Sequence, residues 1–289
     1  HKYIGYDSTI YAYGPVKDLR DFALKAQLVN YDQYRALMEG YSSHIWEWYT
    51  GSIIWKTQNP WTALRGQMYD YYLDVNAGLY GLHHGGEPLH VMFDPAAGMV
   101  MIVNNGFRFR RNMMLEVKTY DMKGKEKLLT QVYEEIGPST VRKYVNIGRQ
   151  LSRLRKTEGI FLSLRLLDKQ KQPISENFYW LADSAGNYSG LQHIAPAKLN
   201  IEARRTGPGK ISVTLSNAAD HPVAFFNRIS LIDPRSGKRT LPVFYSDNYV
   251  SVVPGGSKTI ILEYQSSNGV IPLVSVKGWN VEETREATE

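Results

Sequence analysis

The chain of 289 residues contains no cysteine. Disulfides, thiol nucleophiles and thiolate metal sites are excluded outright. A cysteine-free composition fits an exported protein, periplasmic or secreted, that avoids pairing errors, though cytosolic proteins also lack the residue. No apolar run approaches the ~20 residues of a membrane-spanning helix, so no membrane span is expected. A glycine-rich phosphate loop at a strand-to-helix turn and a serine nucleophile elbow are both missing, and no cofactor is expected. His83 and His84 are adjacent and point in different directions on a helix, and His90 stands six residues further on. That is not a metal-ligand spacing, and these histidines read as surface or packing positions, with no metal site. Nucleic-acid motifs are absent too. The net charge of +6 is spread along the chain, with modest clusters at Arg108, Arg110, Arg111 and at Arg149, Arg153, Arg155, Lys156. The first cluster alternates with Phe107 and Phe109, as in a strand with one charged face. A solvated face is the preferred reading over a polyanion site, and no nucleic-acid partner is expected.

What is present is a normal globular composition, 43% hydrophobic, at a length that suits two or three domains. The first third is helical and aromatic-rich. Residues 18–46 read as one amphipathic helix with Leu19, Phe22, Ala23, Ala26, Tyr34, Leu37, Met38, Tyr41 and Ile45 at three- and four-residue spacing. Such a helix is roughly 40 Å long, and Gly40 is its weakest point. The run GSIIWK at 51–56 reads as a buried strand, followed by a loop at 57–61. A second helix is expected from about Asn76 to Gly85 and Gly86, with Pro88 beyond it. Helix, buried strand, loop and helix make the repeating unit of a parallel α/β fold. One strand cannot form such a sheet, because its N–H and C=O groups lack partners. Residues 1–90 therefore read as the incomplete end of a larger α/β domain.

From Leu89 onward strand-like runs alternate with turn residues. Runs at 91–93, 99–103, 114–120, 159–167 and 175–181 suggest an immunoglobulin-like sandwich of about 100 residues. Runs at 199–203, 210–216, 224–232, 243–245, 248–253, 258–264 and 271–276 suggest a second one. TGPG at 206–209 and PGG at 254–256 are strong turns between them. The expected architecture is mainly β with a helical start, and its boundaries fall at 1–90, 91–195 and 196–289. The last piece ends in a polar tail, EETRE at 282–286, which has nothing apolar to anchor it and reads as disordered.

Chemistry is sparse. Glycoside hydrolysis needs two carboxylates flanking the scissile bond, which in an α/β barrel stand at strand carboxyl ends. The strand end at 55–61 carries none, and Glu39 and Glu47 on the helix read as solvated. It does carry Trp55, Gln58, Asn59 and Trp61. Aromatic faces pack against the C–H faces of sugars, and planar amides bond hydroxyls. Two readings stay open on the residues alone: a sugar-binding wall, or Trp55 as core and Asn59-Pro60 as a turn. NYS at 187–189 matches a glycosylation acceptor pattern that is common by chance.

The wording of the segments goes further. TGSIIW at 50–55, Asn59-Pro60-Trp61 and MYDYYLD at 68–74 resemble the last barrel strand and following loop of family 2 glycoside hydrolases. AGLYG at 77–81 and EPLHV at 87–91 resemble the last barrel helix and the entry to the next domain, and NFYWL at 177–181, LPVFYSDNY at 241–249 and GWN at 278–280 are similar to the terminal sandwiches of the β-mannosidase and exo-β-glucosaminidase branch. The resemblance implies the end of a (β/α)8 barrel followed by two immunoglobulin-like β-sandwiches. It implies a retaining exo-glycosidase acting on terminal β-linked mannose or glucosamine, with an oligosaccharide or glycoside as substrate. The acid/base and nucleophile glutamates would precede His1, in a missing N-terminal part of the same enzyme, so no catalytic residue is expected in this chain. Trp55 would line the sugar pocket, with Asn59 and Trp61 as nearby contacts. The alternative is a non-catalytic carbohydrate-binding or scaffold module. The chain by itself is expected to leave nitrophenyl glycosides uncleaved; turnover above buffer in a colorimetric assay would contradict this.

Overall fold

The computed structural model describes residues 6–47, 50–55, 57, 58, 61, 68–265 and 269–289. They form two compact units: residues up to Ile53 with Gly81–His193, and Ile54–Tyr80 with Ile194–Glu289. No helix among the described residues is long and apolar enough to cross a membrane.

The first unit opens with helices α1 (Tyr6–Tyr11) and α2 (Leu19–Ser42). Asp18 caps α2, its carboxylate accepting the Asp21 N–H at 2.8 Å. The helix passes through Gly40 unbroken and stops at Ser42, short of the expected residue 46. Its expected apolar stripe is not its buried face. Leu19 is 81% exposed, and Phe22 and Leu37 are exposed as well. The face turned inward holds Lys25, Leu28, Val29, Tyr31, Arg35 and Glu39. Apolar periodicity misjudged the face because each buried charge has a partner, the condition under which burial is tolerated. Lys25 Nζ, for example, donates to the Pro15 carbonyl at 2.7 Å and to Asp21 at 2.8 Å.

Helix α3 (Ala77–Gly85) lies where the sequence put it, with the Asn76 side chain accepting the Gly78 N–H. Gly81 and Gly85, one turn apart, let it lie directly on α2. A Cβ at Gly81 would collide with the Tyr31 carbonyl, and one at Gly85 would sit 2.8 Å from the Arg35 carbonyl.

Seven antiparallel strands follow: β1 (Leu89–Asp94), β2 (Met99–Asn104), β3 (Arg110–Tyr120), β4 (Glu126–Ile136), β5 (Thr140–Asn146), β6 (Ile160–Leu167) and β7 (Pro173–Leu181). A short helix, α4 (Gly148–Leu154), precedes β6. The sheets run β1-β2-β5 and β4-β3-β6-β7, a three-plus-four layout shared with immunoglobulin-like sandwiches. Val91, Phe93, Val100 and Ile102 of one sheet meet Leu115, Val117, Leu162, Leu164 and Leu166 of the other. Strand β6 is buried almost throughout, the pattern of a strand covered on both faces. Helices supply the second cover: Trp180 Nε1 on β7 donates to the Tyr13 hydroxyl at 2.7 Å, and Arg35 donates to the Phe178 carbonyl. Strands β4 and β5 escaped the sequence reading. Strand β4 is a charged, largely exposed edge strand without clean alternation, as suits an edge that must not pair with other chains.

The second unit contains β8 (Leu199–Gly207), β9 (Lys210–Asn217), β10 (Ala224–Ile232), β11 (Val243–Tyr245), β12 (Val250–Val252), β13 (Ser257–Tyr264), β14 (Leu273–Lys277) and β15 (Thr284–Glu286). Its sheets run β11-β13-β9-β8 and β12-β10-β14-β15. Strand β9 alternates strictly, burying Ile211, Val213, Leu215 and Asn217. The tail is ordered, contrary to expectation. Strand β15 pairs with β14, the Glu289 N–H donates to the Ala203 carbonyl at 3.0 Å, and the Glu289 carbonyl accepts the Arg205 N–H at 2.8 Å. Backbone pairing on an open strand edge needs no apolar side chains.

The expected buried strand at 51–56 is also corrected. Among its described residues, 51–55 carry no strand and are largely exposed, Ile53 at 96%. Among the described residues no strand lies beside this run to take its backbone groups.

Among the described residues one turn recurs four times. Asp70, Asp121, Asp168 and Asp183 each donate their N–H to the carbonyl four residues on, and each carboxylate accepts the N–H groups two and four residues on. The fourth residue is left-handed in every case: Leu73, Gly124, Lys171 and Gly186.

The glycines of the helices give opposed predictions. Gly81→Ala is expected to destabilise the chain by about 1–3 kcal/mol through overpacking. Gly40→Ala, where a Cβ meets nothing within 4 Å, is expected to stabilise it by about 0.5–1 kcal/mol. Urea midpoints measure both, and a midpoint shift of the same sign for the two contradicts this packing.

Candidate functional site

Within the second unit, the segment 54–80 carries the aromatic residues singled out by sequence. Trp55 is 85% exposed and Trp61 is 61% exposed. Asn59 lies outside the described residues, and Gln58 is exposed. Trp55 is therefore not core. The segment is anchored through other residues. Met68, Val75, Ala77 and Tyr80 are buried. The Tyr69 N–H donates to the Thr57 carbonyl at 3.0 Å, Asn76 N–H donates to Met68 at 3.1 Å, and Tyr69 bridges Val75.

Asp74 closes the anchor. Its carboxylate receives Arg228 at 2.6 Å and also Arg239. Charge-assisted pairs of this kind are the stronger hydrogen bonds. Arg228 also lies over the Tyr249 ring, which packs against Phe226 at 5.2 Å and Tyr80 at 6.0 Å. Phe226 and Tyr249 are both left-handed, with φ of 54° and 55°, a conformation that costs bulky residues energy. Buried amides hold the irregular backbone in place. Asn227 donates to Ala224 and Val250 carbonyls, and Asn248 accepts the Ile229 and Tyr249 N–H groups. No feature of the sequence alone marked Asp74, Arg228 or Arg239; the pairing spans more than 150 residues and is set by the fold.

The first unit holds a buried polar cluster that sequence reasoning also missed. Glu39, expected in solvent, is 5% exposed. Its Oε1 accepts the Tyr179 hydroxyl at 2.9 Å and the Asn177 amide at 2.6 Å, and meets His90 Nε2 at 3.0 Å. His90 Nδ1 meets Glu87, which also accepts Ser175 and pairs with His84. Both ring nitrogens of His90 are thus engaged by carboxylates. Burial opposes the imidazolium most strongly, yet hydrogen bonds and charge from Glu39 and Glu87 hold its pKa above the usual value. Burial likewise works against ionised Glu39, and His90 and Arg35 overcome it to leave its pKa lowered. Glu87, against its own desolvation, is drawn down to about 2 by His84 and His90. A glycosidic acid requires the opposite shift, a carboxyl kept protonated near neutrality. This cluster is an internal brace and not an acid/base pair for sugar chemistry.

A family profile described as the exo-beta-D-glucosaminidase Ig-fold domain matches residues 177–281. A mannosylglycoprotein endo-beta-mannosidase of Lilium longiflorum is 32% identical over 98% of this chain and 37% of its own length. An exo-beta-D-glucosaminidase of Amycolatopsis orientalis is 28% identical over 95% of this chain and 29% of its own length. The solved exo-chitosanase of Amycolatopsis orientalis superposes with a TM-score of 0.87 at 26% identity, covering 98% of this chain and 36% of that one. The chain spans about a third of the length of the curated relatives it matches.

The buried cluster predicts a stability maximum on the acid side of neutral. His90 has a raised folded pKa, so its contribution is complete below the reference value of 6.5 and fades as pH rises through the folded value. Glu39 and Glu87 have lowered values, so theirs is complete above 4.5 and is lost as pH falls, for Glu87 towards about 2. Urea midpoints are expected to peak between about pH 4.5 and 6.5. His90→Gln is expected to flatten the alkaline fall, and Glu39→Ala to cost about 3–5 kcal/mol by leaving a buried charge unpaired. A midpoint that rises steadily to pH 9 contradicts the assignment.

Proposed function

Because the chain is homologous along nearly its whole length to the exo-β-glucosaminidases and mannosidases of glycoside hydrolase family 2, we propose that it is the carboxy-terminal part of a retaining exo-acting β-glycosidase. The activity belongs to the parent protein, which removes terminal β-linked glucosamine or mannose from a saccharide. In this reading residues 1–90 end a (β/α)8 barrel, and 91–195 and 196–289 are two immunoglobulin-like sandwiches behind it. The acid/base and nucleophile glutamates come from the remainder of the enzyme, about 5–5.5 Å apart as retention requires. Trp55, with Asn59 and Trp61, forms one wall of the sugar pocket. Export to the periplasm or outside the cell fits the cysteine-free composition and a polymeric substrate.

The observation that carries the proposal is the exposure of the Trp55 ring, 85%, in a chain whose relatives act on glucosamine- and mannose-containing saccharides. A tryptophan left in water on a well-anchored segment is matched to a ligand or to a missing neighbour. The exposed apolar residues Leu19, Phe22 and Leu37 of α2, and Ile53 ahead of Trp55, fit the same account. A barrel remainder would cover them and would give the run at 51–55 the neighbouring strands it lacks here.

The test uses the full-length encoded protein with nitrophenyl β-D-glucosaminide and β-D-mannoside. Hydrolysis with retained anomeric configuration is expected for one of them. Trp55→Ala is expected to lower kcat/KM at least tenfold, about 1.4 kcal/mol. Products longer than one sugar from an oligosaccharide would replace the exo reading by an endo one. Inactivity on every β-glycoside would overturn the proposal.

A further inference from the structure

We propose that the turn carrying Tyr71 and Tyr72 is a second saccharide contact, which takes the sugar unit next to the one at Trp55, and that Asp74 with Arg228 and Arg239 are its positioning residues. The inference rests on the sugar-binding reading of Trp55 and extends it to a β-linked oligosaccharide of at least two units.

Three observations support it. First, the turn is an outlier among its own kind. The four Asp-centred turns share one hydrogen-bond pattern, and the three others carry Met122-Lys123, Lys169-Gln170 and Ser184-Ala185 at the two central positions. The pattern therefore asks for no aromatic side chain, yet here two tyrosines occupy it, both at least half exposed. Their rings stand edge to face at 5.1 Å and 83°, which leaves ring surface open to stack on a pyranose. Two aromatic bodies, each with a hydroxyl at its tip, suit a ligand that alternates C–H faces and hydroxyls.

Second, the turn keeps a strained residue. Its left-handed position is Leu73, where two of the other turns use glycine. A β-turn that served only to reverse the chain would gain by glycine there. Third, the turn is tied at both ends. On one side Tyr69 N–H bonds Thr57, two residues after Trp55, so the tyrosine turn and the tryptophan segment share a hydrogen bond. On the other, Asp74 is gripped by two arginines of the sandwich, and one of them, Arg228, lies over the ring of left-handed Tyr249. Solvent-exposed aromatic side chains on so tightly fixed a backbone are preorganised for binding.

The experiment titrates the chain with methyl β-D-glucosaminide and with the β-linked glucosamine tetramer, following ligand-induced NMR shifts. Tyr71→Ala/Tyr72→Ala is expected to weaken tetramer binding about tenfold while leaving the methyl glycoside unchanged. Trp55→Ala is expected to weaken both. Asp74→Asn is expected to copy the tyrosine variant, with loss for the tetramer alone, a split that general destabilisation does not produce. An unaltered tetramer affinity in the double tyrosine variant overturns the inference, and Trp55 remains a sugar contact if Trp55→Ala still weakens both ligands. Failure of the unsubstituted chain to bind the tetramer overturns the inference, whereas the Trp55 reading stands or falls with the full-length enzyme.

Discussion

A buried imidazole ties the long helix of the first unit to its sandwich. His90 on β1 places one ring nitrogen on Glu39 of α2 and the other on Glu87 at the head of the strand. Asn177 and Tyr179 of β7 close the cluster from the opposite sheet. Ionised groups are costly to bury, and such a cluster persists only when every charge has a partner and every remaining lone pair a donor. It therefore specifies one arrangement of helix on sandwich. The same helix reaches β7 through Arg35 and carries α3, whose glycines lie against its backbone.

The second unit relies on a different device. Its core is ordinary alternating β-sandwich, but at one place the backbone is forced left-handed at two aromatic residues, and buried asparagine amides take over the hydrogen bonds that the interrupted ladder gives up. That is also where Arg228 reaches Asp74. Strain and grip coincide, and both serve a segment that displays tryptophan and tyrosine rings to solvent. In the proposed enzyme, this sandwich would be part of the structure that holds the sugar wall.

Strands were legible where burial alternates along the strand or covers both of its faces. Strict alternation in β9 and the density of apolar residues in β6 and β10 mark these segments as strands, and the turns at 206–209 and 254–256 separate the second-unit strands. Strand β4 was not legible, because an edge strand has neighbours on one side only and its side chains answer to solvent. The tail was misread for a related reason: β15 is held by backbone bonds to β14, which composition does not register. The run at 51–55 erred in the other direction. Its apolar residues signalled burial, while burial requires neighbours that the chain here does not supply. Asn59, named with Trp55 and Trp61 as a sugar contact, falls outside the described residues, so only the two tryptophans of that trio gain a structural setting.

By itself the sequence determined the strands of the two sandwiches other than β4, β5 and β15, the position of α3, the turns, the kinship with sugar-cleaving enzymes and the aromatic residues worth watching. Those follow from local periodicity and from the order of short segments. Tertiary structure decided which face of α2 is buried, that Glu39 is a structural anion, and that Asp74 meets two arginines far along the chain. The physical reason is that a charge is placed by its partners. Hydrophobic patterning predicts the burial of apolar groups, but a buried ion pair is stable only at one distance and one geometry, and these exist only once the chain has folded.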